Sequence, residues 1–335
     1  MKISVIVIAY NCEETIRKSL DSLLAQTAWM KYEKEIIVVV NGCSDSTETI
    51  ARKFPVQVLA FQKPLGHAGA INVGYAKSTG DIIFPAFGDG CYADNFIELC
   101  VSHLLDPSVG SCYGFELQWT DGSVLSKFLD EDKQLRKINY KPFSGWFFRR
   151  IDLQKLNLGT EIYDPKIVGP DLKLANQIKS LGYTLSWEPR AKYWIGKDYN
   201  SFRKVFAKGF NMGSKLFYQL WDSKGKFTRK NIYPFNRMFY FRIALVLGYL
   251  SFLVGYIVLG TGFGGFYYPL GLCGILVLPY MGFRVLALYD VRKKGQRVSS
   301  FRSYVRLFPM VQLVRYFGMA VGFIQAIFVR RRVPY

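Results

Sequence analysis

The sequence predicts an α/β domain built on a mainly parallel sheet, followed by an α-helical membrane region. Two patterns carry that expectation. Strand-like β-branched runs alternate with helix-period segments near the start of the chain, and charge is divided unevenly along it. Residues 1–190 hold 21 basic and 22 acidic side chains, whereas residues 191–335 hold 23 basic and 3 acidic. Half of the residues are apolar and 16% aromatic, which excludes a disordered or collagen-like chain.

Taken in order, Ile3 to Ala9 is a β-branched run of the kind that forms a strand buried on both faces. Glu13 to Ala25 then sets Ile16, Leu20, Leu23 and Leu24 at helical spacing. Glu35 to Val40 repeats the strand pattern, and the turn from Asn41 to Asp45 leads into a short helix over Thr47 to Lys53. A strand over Val56 to Ala60, a helix over Ala68 to Ala76 and a strand over Asp81 to Ala86 complete the alternation. Strands separated by helices pair in parallel, because such a connection crosses the sheet. Further on, Asp171 to Leu181 reads as a helix ended by Gly182 at C′. Sheets of this kind bind ligands beyond the carboxyl ends of their strands. That rule selects Tyr10-Asn11, Asn41 to Asp45 and Phe87-Gly88-Asp89.

The second half reads differently. Residues 198–240 mix Lys and Arg with aromatic rings, a composition suited to helices lying in a lipid headgroup layer. No charged residue occurs from Ile243 to Phe283, room for spans at about 243–260 and 266–286 joined by a glycine-rich turn. Arg242 and Arg284 bracket this hairpin, and Arg292, Lys293, Lys294 and Arg297 assign their side to the cytosol. A third apolar segment, 307–329, is spanning or re-entrant, since Arg315 lies inside it and basic residues flank both ends. Its Gly318 and Gly322 form a small-xxx-small pair suited to close helix contact. The start of the chain lacks the pattern of a signal peptide. The expectation is therefore a multi-pass protein of the cell membrane, with domains 1–197, 198–240 and 241–335 and the first of these in the cytosol. The basic excess would also suit nucleic acid, but the charge-free run makes that a weak alternative. Six cysteines without CxxC spacing fit reduced thiols, and two histidines make a zinc site improbable.

Ser4 to Asn11, Ser22 to Thr27, the run from Ile37 ending Gly42-Cys43-Ser44-Asp45-Ser46-Thr47, Gly66 to Asn72, Thr79 to Ile83, Gly88-Asp89-Gly90 and Gly169-Pro170-Asp171-Leu172 occur here in one order. In that ordered set the chain resembles a family-2 glycosyltransferase of the GT-A fold, over about residues 1–215. The resemblance implies transfer of a sugar from a nucleotide diphosphate, assisted by Mg²⁺ or Mn²⁺. Of the family's Asp-x-Asp, the triplet Phe87-Gly88-Asp89 retains only the second carboxylate, so Asp89 is the implied metal ligand. Asp171 is the implied catalytic base, in a Pro-Asp where the family has Glu-Asp. Implied donor contacts are Ala9, Tyr10, Asn11, Glu13, Asn41, Asp45, Lys63, His67, Asn72 and Gly88; Trp146, Arg149 and Arg150 occupy the implied acceptor segment. Asp89 also suits a plain turn, and Asp171 a helix first turn. Asn41 can donate and accept, so it does not separate uridine from guanosine. The processive members' Gln-x-x-Arg-Trp is replaced by Phe202 to Gly209, which favours addition of a single sugar. The membrane region implies a polyprenyl-linked acceptor. Two alternatives stay open at this level: a polyprenyl-phosphate sugar synthase and a catalytically degenerate membrane scaffold.

Overall fold

The computed structural model describes residues 1–119, 145–165 and 170–195, with parts of 123–128, 201–210 and 310–325. The chain divides into two compact units: Met1–Trp119 with Asn139–Lys197 and Pro334–Tyr335, and Thr120–Ile138 with Asp198–Val333.

In the first unit β1 (Lys2–Ala9) lies between β2 (Glu33–Asn41) and β4 (Ile82–Phe87), with β3 (Gln57–Phe61) outside β2. All of these pairs are parallel. Successive β1 side chains feed two cores. Ile3, Val5 and Val7 pack with α1 (Ile16–Leu24) and α4 (Phe96–Leu104), whereas Ile6 and Ile8 pack with α3 (Gly66–Lys77) on the other face. This explains the β-branched run, since a strand covered on both sides has no solvent face to keep polar.

The remaining strands correct the expectation of a mainly parallel sheet. After β5 (Gly90–Tyr92) come β6 (Val109–Gln118), β7 (Trp146–Arg149) and β8 (Thr184–Ile195), giving the order β3-β2-β1-β4-β7-β6-β8-β5. β7 runs antiparallel to β4 and β6, and β5 antiparallel to β8, while β6 and β8 are parallel. The sheet is mixed. Short strands such as β5 and β7 carry too few residues for a readable period.

The expected helix over Glu13 to Ala25 begins only at Ile16. Upstream, Asn11 adopts a left-handed φ of 45°, and Glu13 donates its N–H to Asp45 while its carboxylate accepts from the Ser46 N–H. These contacts hold Glu13 out of the helix. Two other helices complete this unit, α2 (Thr47–Ala51) and α5 (Arg150–Lys155), before α6 (Pro170–Ser180), which stops as expected at Gly182 with φ 92°.

Among the described residues no helix is long and apolar enough to cross a membrane. The expected spans at 243–260 and 266–286 lie outside the described residues. In the second unit the described parts of 201–210 and 310–325 are helical and closely packed. A Cβ on Gly318 would lie 2.4 Å from the Phe206 carbonyl oxygen, and one on Gly322 would lie 2.0 Å from that of Phe210. The glycine pair is there because two backbones meet at it.

Candidate active site

The carboxyl ends of β1 and β4 open into a cleft of about 210 Å³ lined by Ile8, Tyr10, Cys12, Phe87 and Asp89. The turn carrying Asp89 is held from several sides. The Gly88 N–H donates to Ile8 O at 2.8 Å, Thr15 donates to Gly88 O, Ser19 donates to Phe87 O, and the Phe87 N–H donates to the Tyr92 hydroxyl. A side chain on Gly88 would strike Cys12 Sγ at 2.8 Å. The half-buried Asp89 thus sits on a fixed turn, and its charge adds to the burial that drives the Tyr92 phenol above its ordinary range. Burial, against a hydrogen bond from Thr47, also pushes the Cys12 thiol up to about 12, so Cys12 is a neutral wall.

A relay of rings leaves this turn. The His67 ring stacks 5.8 Å from Phe87 and 6.0 Å from Tyr163. Tyr163 is 2% exposed, and burial together with the nearby Asp171 carboxylate holds its hydroxyl well above the usual phenol range. Asp171 itself lies in the first turn of α6 and is 4% exposed. Asp89 and Asp171, 82 positions apart in sequence, are therefore connected through Phe87, His67 and Tyr163. Sequence reading did not find Tyr163, because no local pattern marks it.

The loop residues divide by role. Tyr10 is 56% exposed at the cleft mouth. Asn11 accepts from the Ser44 N–H, and Asp45 accepts from the backbone of Glu13 and Thr47. Burial works to raise the Asp45 carboxyl, and those hydrogen bonds bring it below its ordinary value. Ala9 is buried and its carbonyl accepts from Cys43 Sγ. Lys63 is exposed on the β3–α3 loop and His67 is exposed in the first turn of α3. Gly42, at φ 73°, faces Pro64 with a Cβ position only 2.5 Å from its nitrogen, so the two loops interlock.

Five expected contacts are placed otherwise. Asn41 is buried, accepts from the Leu65 N–H at 2.6 Å and donates to Gly66 O at 3.2 Å, so its amide ties β2 to the next loop instead of reading a base. Asn72 donates to Tyr163 O at 2.7 Å and accepts from the Tyr163 N–H at 2.8 Å, clamping the backbone of that residue. Trp146 is 1% exposed and packs at 4.4 Å on Tyr113, inside the core. Arg149 binds Asp152 and the carbonyls of Leu104, Asp106 and Pro107. Arg150 binds Gly80 O and Ser78 Oγ and lies over the Tyr75 ring. Arg149 pairs with Ile82 at the start of β4, five residues from Phe87, or about 17 Å at about 3.4 Å per residue. These arginines brace the opposite end of the sheet from Asp89.

Whether a divalent ion fits can be judged from the donors present. Among the described residues no group of three or more His, Cys, Asp or Glu could hold one. Asp89 lining the cleft still suits Mg²⁺ or Mn²⁺, since a hard cation accepts one carboxylate plus phosphate and water oxygens.

Residues 4–162 match the model of Glycosyl transferase family 2. That stretch is similar to a family-2 glycosyltransferase domain. The chain is 26% identical to the Probable glycosyltransferase YdaM of Bacillus subtilis over 215 residues, 58% of this chain and 50% of the relative. It is 28% identical over 136 residues to the Escherichia coli UDP-Glc:alpha-D-GlcNAc-diphosphoundecaprenol beta-1,3-glucosyltransferase WfgD, covering 39% of this chain and 52% of that one. The chain thus spans about half the length of these curated relatives. In three dimensions it resembles the mannosyltransferase PcManGT from Pyrobaculum calidifontis in complex with GDP-Man and Mn2+, with a TM-score of 0.58 and 20% identity over 96% of this chain and 86% of the other. That likeness is one of fold, and it agrees with a GT-A type domain.

Proposed function

We propose that this chain is a metal-dependent, inverting glycosyltransferase that moves one sugar from a UDP- or GDP-linked donor to a polyprenyl-linked saccharide at the cytosolic face of the cell membrane. One observation carries the reading: Asp89 lines a cleft at the carboxyl ends of β1 and β4 and is joined by the Phe87–His67–Tyr163 relay to the buried Asp171. WfgD, whose name includes a diphosphoundecaprenol acceptor, supports the lipid-linked part. The membrane location rests on sequence, through the charge-free run from Ile243 to Phe283 and its basic flanks.

In this reading Tyr10 stacks on the donor base at the cleft mouth, and the Cys12 and Phe87 walls keep water from the anomeric carbon. Mg²⁺ or Mn²⁺ held by Asp89 and the donor diphosphate would supply positive charge against the leaving phosphate. The Asp171 carboxylate takes the proton of the attacking acceptor hydroxyl as the bond from the anomeric carbon to phosphate oxygen breaks. Inversion follows from attack on the face opposite the leaving group.

The test uses the full chain in detergent micelles, screened with UDP- and GDP-sugars and Mn²⁺. Asp171→Asn is expected to lower kcat by about 10²- to 10⁴-fold with donor binding retained. Asp89→Asn is expected to abolish the metal-dependent thermal stabilisation by donor. Transfer at the parent rate in Asp171→Asn refutes the assigned base.

A further inference from the structure

We propose that the acceptor saccharide lies on an aromatic shelf formed by Trp187, Phe115 and Trp194, with Lys192 beside it to pair with an acceptor phosphate. The proposal rests on the glycosyltransferase reading and deepens it by naming the surface that receives the acceptor, a task the core-bound Trp146 and the distant Arg149 and Arg150 do not perform.

Strand register defines the shelf. Along β6 and β8, Tyr113 pairs with Trp187, Phe115 with Lys192 and Leu117 with Trp194. Tyr193 is fully buried in the core layer of α4, so its neighbours Lys192 and Trp194 project from the other face of the sheet. Tyr113 belongs to that other face, together with Trp146, Tyr163 and the α6 residue Leu174. A row of rings therefore crosses this face. It begins with Trp146 against Tyr113 at 4.4 Å and continues with Phe115 against Trp187 at 6.3 Å. Burial falls along the row: Trp146 is 1% exposed, Tyr113 8% and Trp187 42%. Lys192 is exposed.

The Trp194 end of the shelf adjoins the cleft, and Trp187 lies further along β8, level with Tyr113 where Ile195 is level with Gln118. β8 pairs with β5, matching Trp194 to Cys91 and Ile195 to Gly90, the residue that follows Asp89. The same strand thus carries Trp187 and Lys192 and ends beside the turn that presents Asp89. Aromatic faces attract the C–H faces of a pyranose through dispersion and the ring quadrupole, and an ammonium attracts phosphate as a point charge. Rings flanking one lysine suit a saccharide that bears a phosphate ester. The rise of exposure from Trp146 to Trp187 leaves ring surface available where the sugar would lie.

The experiment measures acceptor KM, donor KM and kcat for the full chain in detergent, with a saccharide diphosphate lipid, a soluble sugar phosphate and the matching neutral saccharide. Trp187→Ala is expected to raise the acceptor KM about 10-fold, with donor KM within about twofold of the parent and Trp187→Phe largely restoring it. Lys192→Ala is expected to raise KM for both phosphate-bearing acceptors and not for the neutral one. A penalty confined to the lipid-linked acceptor assigns Lys192 to the lipid headgroup region and overturns the phosphate pairing. An unchanged acceptor KM in both Trp187→Ala and Trp194→Ala overturns the shelf, as does a parallel rise in donor KM. A parent chain that neither binds nor turns over any nucleotide sugar overturns the glycosyltransferase reading itself, and the shelf with it.

Discussion

Replacing Asn72 by Asp changes an amide nitrogen to oxygen and little else in shape. In the native chain the Asn72 amide donates to Tyr163 O at 2.7 Å and accepts from the Tyr163 N–H at 2.8 Å. Aspartate keeps the second bond and sets its other oxygen against the Tyr163 carbonyl. One hydrogen bond worth about 1 kcal/mol is lost, and a part-buried carbonyl without its donor costs about 1–3 kcal/mol. The retained N–H contact, now to a charged acceptor, returns part of that. The net is a loss of about 2–3 kcal/mol, or roughly 5–10 °C in Tm for a unit of this size. Protonation restores a donor at the lost contact, so the new carboxyl binds its proton more tightly in the folded chain than in the unfolded one. Its folded pKa is raised, and the deficit therefore shrinks as pH falls through that pKa. Thermal unfolding of parent and Asn72→Asp in detergent at pH 7.5 and pH 5 measures both effects. An equal Tm at pH 7.5, or a deficit that does not change with pH, refutes the clamp.

Three further outcomes follow from the same contacts. The Glu188 carboxyl is held at about 2 by Arg190, against an upward push from burial and with help from His103; a depressed folded value means stability present above the ordinary pKa of 4.5 and lost as pH falls toward 2. Because Arg190 is 74% exposed, screening keeps the loss in Glu188→Gln at no more than about 1 kcal/mol near pH 7, read as a flatter acid denaturation curve. Gly322→Ala drives a Cβ to 2.0 Å from the Phe210 carbonyl oxygen, so the packed helical segments must part at a cost of about 1–3 kcal/mol, visible as a lower Tm. Iodoacetamide at pH 8 should modify the half-buried Cys43 and Cys91 before Cys12, which is 3% exposed with its thiol near 12; peptide mass spectrometry reads the order.

The legible part of this molecule is the part where a residue's role depends on its near neighbours. The run from Ile3 to Ala9 announces a strand covered on both faces, and it lies between two cores. Tyr10 and Asp89 follow strand ends and line the cleft there. Roles set by distant partners were read differently. Asn41 and Asn72 stand in motif positions that suggest ligand contact, yet their amides close on the backbones of Leu65, Gly66 and Tyr163. Arg149 and Arg150 look like a phosphate clamp in sequence and instead bind carbonyls at the opposite end of β4.

By itself the chain's order of residues determined the alternation of strands and helices through β4, the positions of Asp89 and Asp171, and the close-packing glycines at 318 and 322, because periodicity, turn chemistry and side-chain size act over a few neighbouring positions. Tertiary structure alone decided that the sheet is mixed, that Tyr163 bridges His67 and Asp171, and that β8 runs from Trp187 to the edge of the Asp89 turn. Those facts depend on strand register and on which residues meet across long stretches of chain, and no local energy term specifies them.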